Sequence, residues 1–333
     1  MWSARRFPAT LLVALVLSQL VTPMAAAAQQ PAKLPLLGVF STGFPPAEGQ
    51  RPRSPFGQAL RELGWIEGQT IAVERRYAEE QPDRLVELAA ELVRLKPDVM
   101  VTGGTSGVLA LKHATTTIPI VINGAGMLVE QGIVASLAQP GGNITGVENN
   151  AVGLSGKRLE LLKGALPQIT RVAFLFNPTN PFFTLELSNL ETEARALGLQ
   201  LQPVAVRNGT EVDDALATLV APRPDALFVG DDGRLNAHLR SITVFATTHQ
   251  LPTMGTRRES AEAGCLFAFG YNRRELAQRA AVYVDKILKG AKPGDLPIER
   301  PTTFEFIINL KTAQALSLTI PSTLLFQATE VLK

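Results

Sequence analysis

A single cysteine, Cys265, occurs in the 333 residues, so no disulfide can close within the chain. The three histidines, His113, His238 and His249, stand alone with no second ligand at i+2 or i+4, which excludes a local zinc motif. An excess of one charge is also missing. Lys and Arg number 32 against 30 Asp and Glu, and setting aside Arg5 and Arg6 near the start brings the two signs level. No basic stripe interleaved with aromatics is left to neutralise a phosphate backbone, so nucleic acid is excluded as a partner. Catalytic signatures are equally scarce. Gly153-Leu154-Ser155-Gly156-Lys157-Arg158 approaches a phosphate loop, but Ala151 stands where its first glycine belongs and Arg158 where its hydroxyl belongs. Gly124-Ala125-Gly126 breaks the dinucleotide fingerprint at Val129, and no G-x-S-x-G elbow occurs. Neither a cofactor nor a metal is expected.

Long apolar runs are absent beyond the first residues. Ala9 to Val21 is interrupted by Ser18 and Gln19 and falls short of the ~20 residues a spanning helix needs. With Arg5-Arg6 before it and Ala25-Ala26-Ala27-Ala28 after it, residues 1–28 read as a cleavable secretory signal. No cysteine follows the cleavage site, so lipidation is not expected. The reading is a free protein of a periplasm, without a membrane anchor.

What remains is ample material for a core. Hydrophobic residues make up 46% and charged residues 19%, and the length admits two domains. After Pro35, β-rich runs alternate with helical patterns. Leu36–Phe40 reads as a strand, 55–63 as a helix, 70–75 as a strand, and Leu85, Leu88, Ala89, Leu92 and Leu95 as one helical face. Strand 98–102, helix 107–114 and strand 120–122 follow. The order restarts with strand 172–176, helix 185–197, strand 201–206, helix 212–220 and strand 226–229. Leu92-Val93 followed by Lys96-Pro97-Asp98 matches Leu219-Val220 followed by Arg223-Pro224-Asp225 at constant spacing. The fold class is therefore α/β, with two Rossmann-like lobes built on parallel sheets.

Ligands of open parallel sheets bind beyond the carboxyl ends of the strands. In the first half those ends carry Ser41-Thr42, Thr105-Ser106, and Gly124 and Gly126. In the second half they carry Asn177, Thr179 and Asn180, then Asp231-Asp232. Thr105 and Ser106 open a helix, where hydroxyls and free N–H groups suit a carboxylate, or where one of the two simply caps. Asp231 and Asp232 either accept from a ligand ammonium or cap the helix near Arg234. Cys265 precedes an apolar run and reads as a small buried hydrophobe.

Several stretches then carry a resemblance. They are Phe56-Gly57-Gln58-Ala59-Leu60-Arg61-Glu62-Leu63-Gly64-Trp65, Leu137-Ala138-Gln139-Pro140-Gly141-Gly142-Asn143-Ile144-Thr145-Gly146, Tyr283-Val284-Asp285-Lys286-Ile287-Leu288-Lys289-Gly290 and Pro301-Thr302-Thr303-Phe304-Glu305-Phe306. Through them the mature chain resembles the ABC-transporter substrate-binding proteins that include tryptophan- and tyrosine-type binders, with the type I periplasmic binding fold.

The resemblance implies a monomer that captures a small, amino-acid-like and possibly aromatic ligand between its lobes. It would deliver that ligand to an inner-membrane permease and would not be an enzyme. A sensor of the same fold and a two-lobed exported enzyme are the alternatives. The resemblance places lobe 1 at 35–148 plus about 271–300 and lobe 2 at 149–270. Crossings form a multi-strand hinge near Asn149, near Tyr271 and again within 301–305, with the lobe of the last residues left open. Asn149 and Tyr271 thereby join the candidate ligand contacts. One departure stands out. Relatives carry a Gly-Asp-Pro-Val type loop where this chain has Gly126-Met127-Leu128-Val129. The cleft has either lost a charge and gained apolar surface there, or the loop's Met127 and Leu128 pack locally.

Overall fold

The computed structural model describes Trp2 and residues 33–45, 54–79, 81–149 and 152–333, and Leu34–Lys333 form one compact unit. Apart from Trp2, residues 1–28, where a secretory signal is expected, lie outside the described residues. Strands β1 (Leu36–Ser41), β2 (Ala72–Tyr77), β3 (Val99–Thr102), β4 (Ile120–Ala125) and β5 (Ile144–Glu148) make a five-stranded parallel sheet in the order β2-β1-β3-β4-β5. Between them run helices α1 (Pro55–Glu62), α2 (Arg84–Arg94) and α3 (Thr105–Ala114). Helix α4 (Val152–Ala165) then leads into a second sheet. Its parallel part follows the order β7-β6-β8-β9-β10, made by β6 (Arg171–Phe176), β7 (Gln200–Ala205), β8 (Ala226–Val229), β9 (Thr253–Gly255) and β10 (Phe267–Tyr271). Its helices are α5 (Pro181–Ala196), α6 (Val212–Ala217), α7 (Gly233–Ala237), α8 (Leu239–Thr248) and α9 (Arg258–Glu262).

Helix α10 (Arg273–Leu288) carries the chain back, burying Leu276, Ala280 and Val284 against Leu37, Val99 and Val121 of the first sheet. The last segment supplies β11 (Phe304–Asn309), α11 (Leu310–Ala315), α12 (Ser322–Gln327) and β12 (Glu330–Leu332). Strand β11 pairs antiparallel with β10, and β12 pairs with β11, so the C-terminal residues extend the second sheet. This is the one departure from parallel pairing between the named strands.

The repeated Pro-Asp element has the same job in both sheets. Asp98 bonds the start of β1, its carboxylate accepting from the Leu36 amide at 2.7 Å while its own amide donates to the Leu36 carbonyl at 2.9 Å. Asp225 does the same for β6, accepting from the Thr170 and Arg171 amides at 2.7 and 2.8 Å and donating to the Arg171 carbonyl at 2.9 Å. A carboxylate that holds the first amides of the neighbouring strand fixes the register of the central parallel pair.

Several element boundaries differ from the sequence expectation, and three of them have visible causes at their ends. Strand β2 starts two residues late because the Thr70 hydroxyl is spent on a turn, accepting from the Ile66 amide and donating to the Gly64 carbonyl. Helix α5 starts four residues early. The Asn180 side chain accepts from the Phe182 amide, and Pro181 supplies the pre-set first position. Helix α3 also starts early, at Thr105, because Gly104 at φ 74° turns the chain where a side chain would be strained.

Candidate functional site

The carboxyl ends of the two sheets face one another across a cleft of about 300 Å³. From the first lobe come Thr42 after β1 and Gly104, Thr105 and Ser106 after β3. From the second come Asn177, Thr179 and Asn180 after β6 and Asp231 to Arg234 after β8. Seven of the twelve candidates thus meet in the lining: Thr42, Thr105, Ser106, Asn177, Thr179, Asn180 and Asp231.

The other five lie outside that lining. Ser41 accepts from the Gly43 amide at 3.2 Å and so shapes the turn before the cleft. Gly124 sits at φ 86°, with its carbonyl accepting from the Gly104 amide at 2.7 Å. Gly126 meets the second lobe so closely that a Cβ there would stand 2.8 Å from Phe182. Tyr271 donates its hydroxyl to Asp231 at 3.0 Å, and Asn149 hydrogen-bonds Tyr271 in turn.

The α3 end is open to the cleft. Its cap is Gly104, which offers no side chain, and Thr105 is the first helical residue, with its hydroxyl directed at the Gly126 carbonyl at 3.4 Å. Neither Thr105 nor Ser106 caps the helix. The first N–H groups of a helix have no intrahelical acceptor, and here they front the cleft beside two hydroxyls.

The second lobe presents a polar knot that spacing did not reveal. Asp232 caps α7 by accepting from the Arg234 amide at 3.0 Å. It also accepts from Asn177 at 3.2 Å and from Asn180 at 2.9 Å. The Asn177 carbonyl oxygen receives the Thr179 hydroxyl at 2.8 Å and the buried Arg234 guanidinium at 3.1 Å, and Arg234 further bonds the Arg207 carbonyl. Each side chain is locked by the next, so the rim enters the cleft pre-organised.

Asp231 does not cap. It accepts from Tyr271 and from Asn236 at 3.1 Å, with the Arg257 guanidinium 3.8 Å away. Burial opposes its ionisation, yet the positive charges of Arg257, Arg273 and Arg158 and the Tyr271 hydroxyl hold its carboxyl below the usual range. It remains an acceptor near neutral pH.

Sequence reasoning also missed an apolar wall. Ala78, Pro82, Leu85, Val86 and Leu109, carried by the end of β2 and by α2 and α3, line the first-lobe side of the cleft. Leu85 had been legible only as part of a core stripe. The cleft is therefore amphipathic, with hydrogen-bonding groups from both lobes and aliphatic surface on one. Among the described residues, no group of His, Cys, Asp and Glu is arranged to hold a metal, and no helix is long and apolar enough to cross a membrane. Cys265 is fully buried, and burial pushes its thiol up to about 12.

Three known proteins are similar to this chain, one in sequence and two in solved structure. A tyrosine-binding protein of Clostridioides difficile (strain R20291) is 26% identical over 264 residues, covering 79% of this chain and 75% of that protein. The crystal structure of a conserved domain protein from Vibrio cholerae is 26% identical with a TM-score of 0.83, covering 90% of this chain and all of that one. An ABC domain from Streptococcus pneumonia in complex with L-Trp superposes with a TM-score of 0.82 at 22% identity over the same shares. Residues 50–332 match the family model described as ABC transporter substrate binding protein, and the chain belongs to that family.

Proposed function

We propose that the protein captures a small solute bearing a carboxylate and an apolar portion, and passes it to the membrane permease of an ABC importer. The observation that carries this reading is the composition of the cleft. The uncapped end of α3 with Thr105 and Ser106 suits the carboxylate. Asn180 and Asp231 offer acceptors to an amine or hydroxyl, while Leu85, Val86 and Leu109 receive the apolar portion. Amino acids fit this description, and the named ligands of the relatives, tyrosine and L-Trp, are of that class.

Thermal unfolding with a panel of L-amino acids, tyrosine and tryptophan included, tests the reading. A solute that binds only the folded state stabilises it by RT ln(1 + [L]/Kd), about 2.7 kcal/mol at a hundredfold excess over Kd. Replacing Thr105 and Ser106 together by Ala should remove most of that stabilisation while leaving the unliganded melting temperature nearly unchanged. Retained stabilisation would move the carboxylate elsewhere. Export follows from the leader. The mature chain should begin at or near Ala28 or Gln29 and appear, unacylated, in an osmotic-shock fraction, and recovery with the membrane pellet would refute this.

A further inference from the structure

Met127 is a first-lobe residue that packs on the second lobe. It follows β4, yet its partly buried side chain lies against the second-lobe core, whose buried members come from residues 159–324 and include Phe182 and Phe183. Its neighbour Gly126 is buried under the Phe182 ring. Met127 adopts φ 58°, a left-handed backbone that non-glycine residues rarely take.

That backbone is braced from within its own lobe. The Leu128 amide donates to Glu148 at 3.1 Å, and the Met127 carbonyl accepts from the Gln131 amide at 3.0 Å. Glu148 is 2% exposed and accepts from Arg300 at 2.6 Å. Leu128 is sealed in the first-lobe core. The loop thus buries one side chain at home and extends the next across the gap. Neither Met127 nor Leu128 lines the cleft.

We infer that Met127 and Phe182 form an apolar latch that stabilises the closed arrangement of the lobes and so sets solute affinity without touching the solute. The inference rests on the capture reading given above. A closed state that is fractionally populated before binding lowers apparent affinity by that fraction, so an apolar contact made only on closure raises affinity for every solute alike. A loop with an acidic residue in place of Met127 would have to desolvate a carboxylate against the same second-lobe core. This assigns the chain's Gly126-Met127-Leu128-Val129 departure to lobe closure.

Spin labels at Ala90→Cys in the first lobe and Arg207→Cys in the second, neither of them lining the cleft, report the lobe separation. Both positions are exposed, while native Cys265 is fully buried and stays unlabelled. Solute is removed by unfolding in guanidinium and refolding, and double electron–electron resonance then gives the distance distribution of the empty protein. Met127→Ala should shift the closed-to-open ratio about tenfold toward the longer distance, equivalent to about 1.4 kcal/mol. Met127→Leu keeps the apolar contact and should keep the parent distribution.

Identical distributions for the parent and Met127→Ala, or a parent that is wholly open when empty, would overturn the latch. If Met127→Ala lengthens the distance but no amino acid shortens it in any variant, the latch stands and the capture reading falls.

Discussion

Replacing Glu186 by Gln should flatten the pH dependence of stability. Glu186 is 3% exposed on α5 and accepts from the Ser155 hydroxyl. Ser155 in turn accepts from Arg158 at 3.3 Å, and Arg158, 1% exposed, donates to the Phe269 carbonyl of β10 at 2.7 Å. Burial pushes the Glu186 carboxyl up to about 7 against an ordinary 4.5, despite the opposing pull of Ser155 and Arg158.

A folded-state pKa above the unfolded value means that the folded chain holds the proton more tightly. The contribution is fully present below pH 4.5 and is lost as pH rises through about 7. At about 1.36 kcal/mol per unit, the window amounts to roughly 3 kcal/mol. Gln carries no such proton. Urea unfolding of both proteins from pH 4.5 to 8.5 should show the stability of the parent falling by roughly 3 kcal/mol relative to Glu186→Gln. Parallel curves would refute the reasoning and place the Glu186 carboxyl in a solvated, ordinary environment.

Asp231 carries the opposite sign. With its folded pKa depressed by neighbouring arginines, its contribution is present above the usual carboxylate range and lost as pH falls, so Asp231→Asn should reduce the acid sensitivity of unfolding. Of the paired Pro-Asp clamps, Asp225→Ala should cost more than Asp98→Ala, about 2 against about 1 kcal/mol by chemical denaturation, because Asp225 accepts three hydrogen bonds and Asp98 one. Phe183 is fully buried in contact with the Phe174, Phe176 and Phe182 rings, and Phe183→Ala should cost about 3–5 kcal/mol with an unchanged m-value.

The two-lobed topology was legible because it is written in local periods. Strand runs of four to six residues alternating with helical stripes give parallel crossovers, and the recurrence of Pro-Asp before β3 and β8 marks one plan used twice. Sheet chemistry then names the strand ends, which is how Thr105, Asn177 and Asp231 came forward. Residues whose roles depend on a neighbour far along the chain left no such trace. Arg158 reads as one more helix cation until β10 buries it, and Arg234 acquires its place from Asn177, 57 positions earlier.

The sequence by itself determined two α/β lobes, their repeated core and the polar ends that face a cleft, since propensity and period act within some twenty residues. Tertiary structure alone decided which ends meet. It laid the aliphatic wall of α2 along the cleft, joined the C-terminal strands to the second sheet and sent Met127, but not Leu128, across the gap. Those outcomes are set by the orientation of two rigid bodies joined by a few crossings, and a one-dimensional pattern does not encode that orientation.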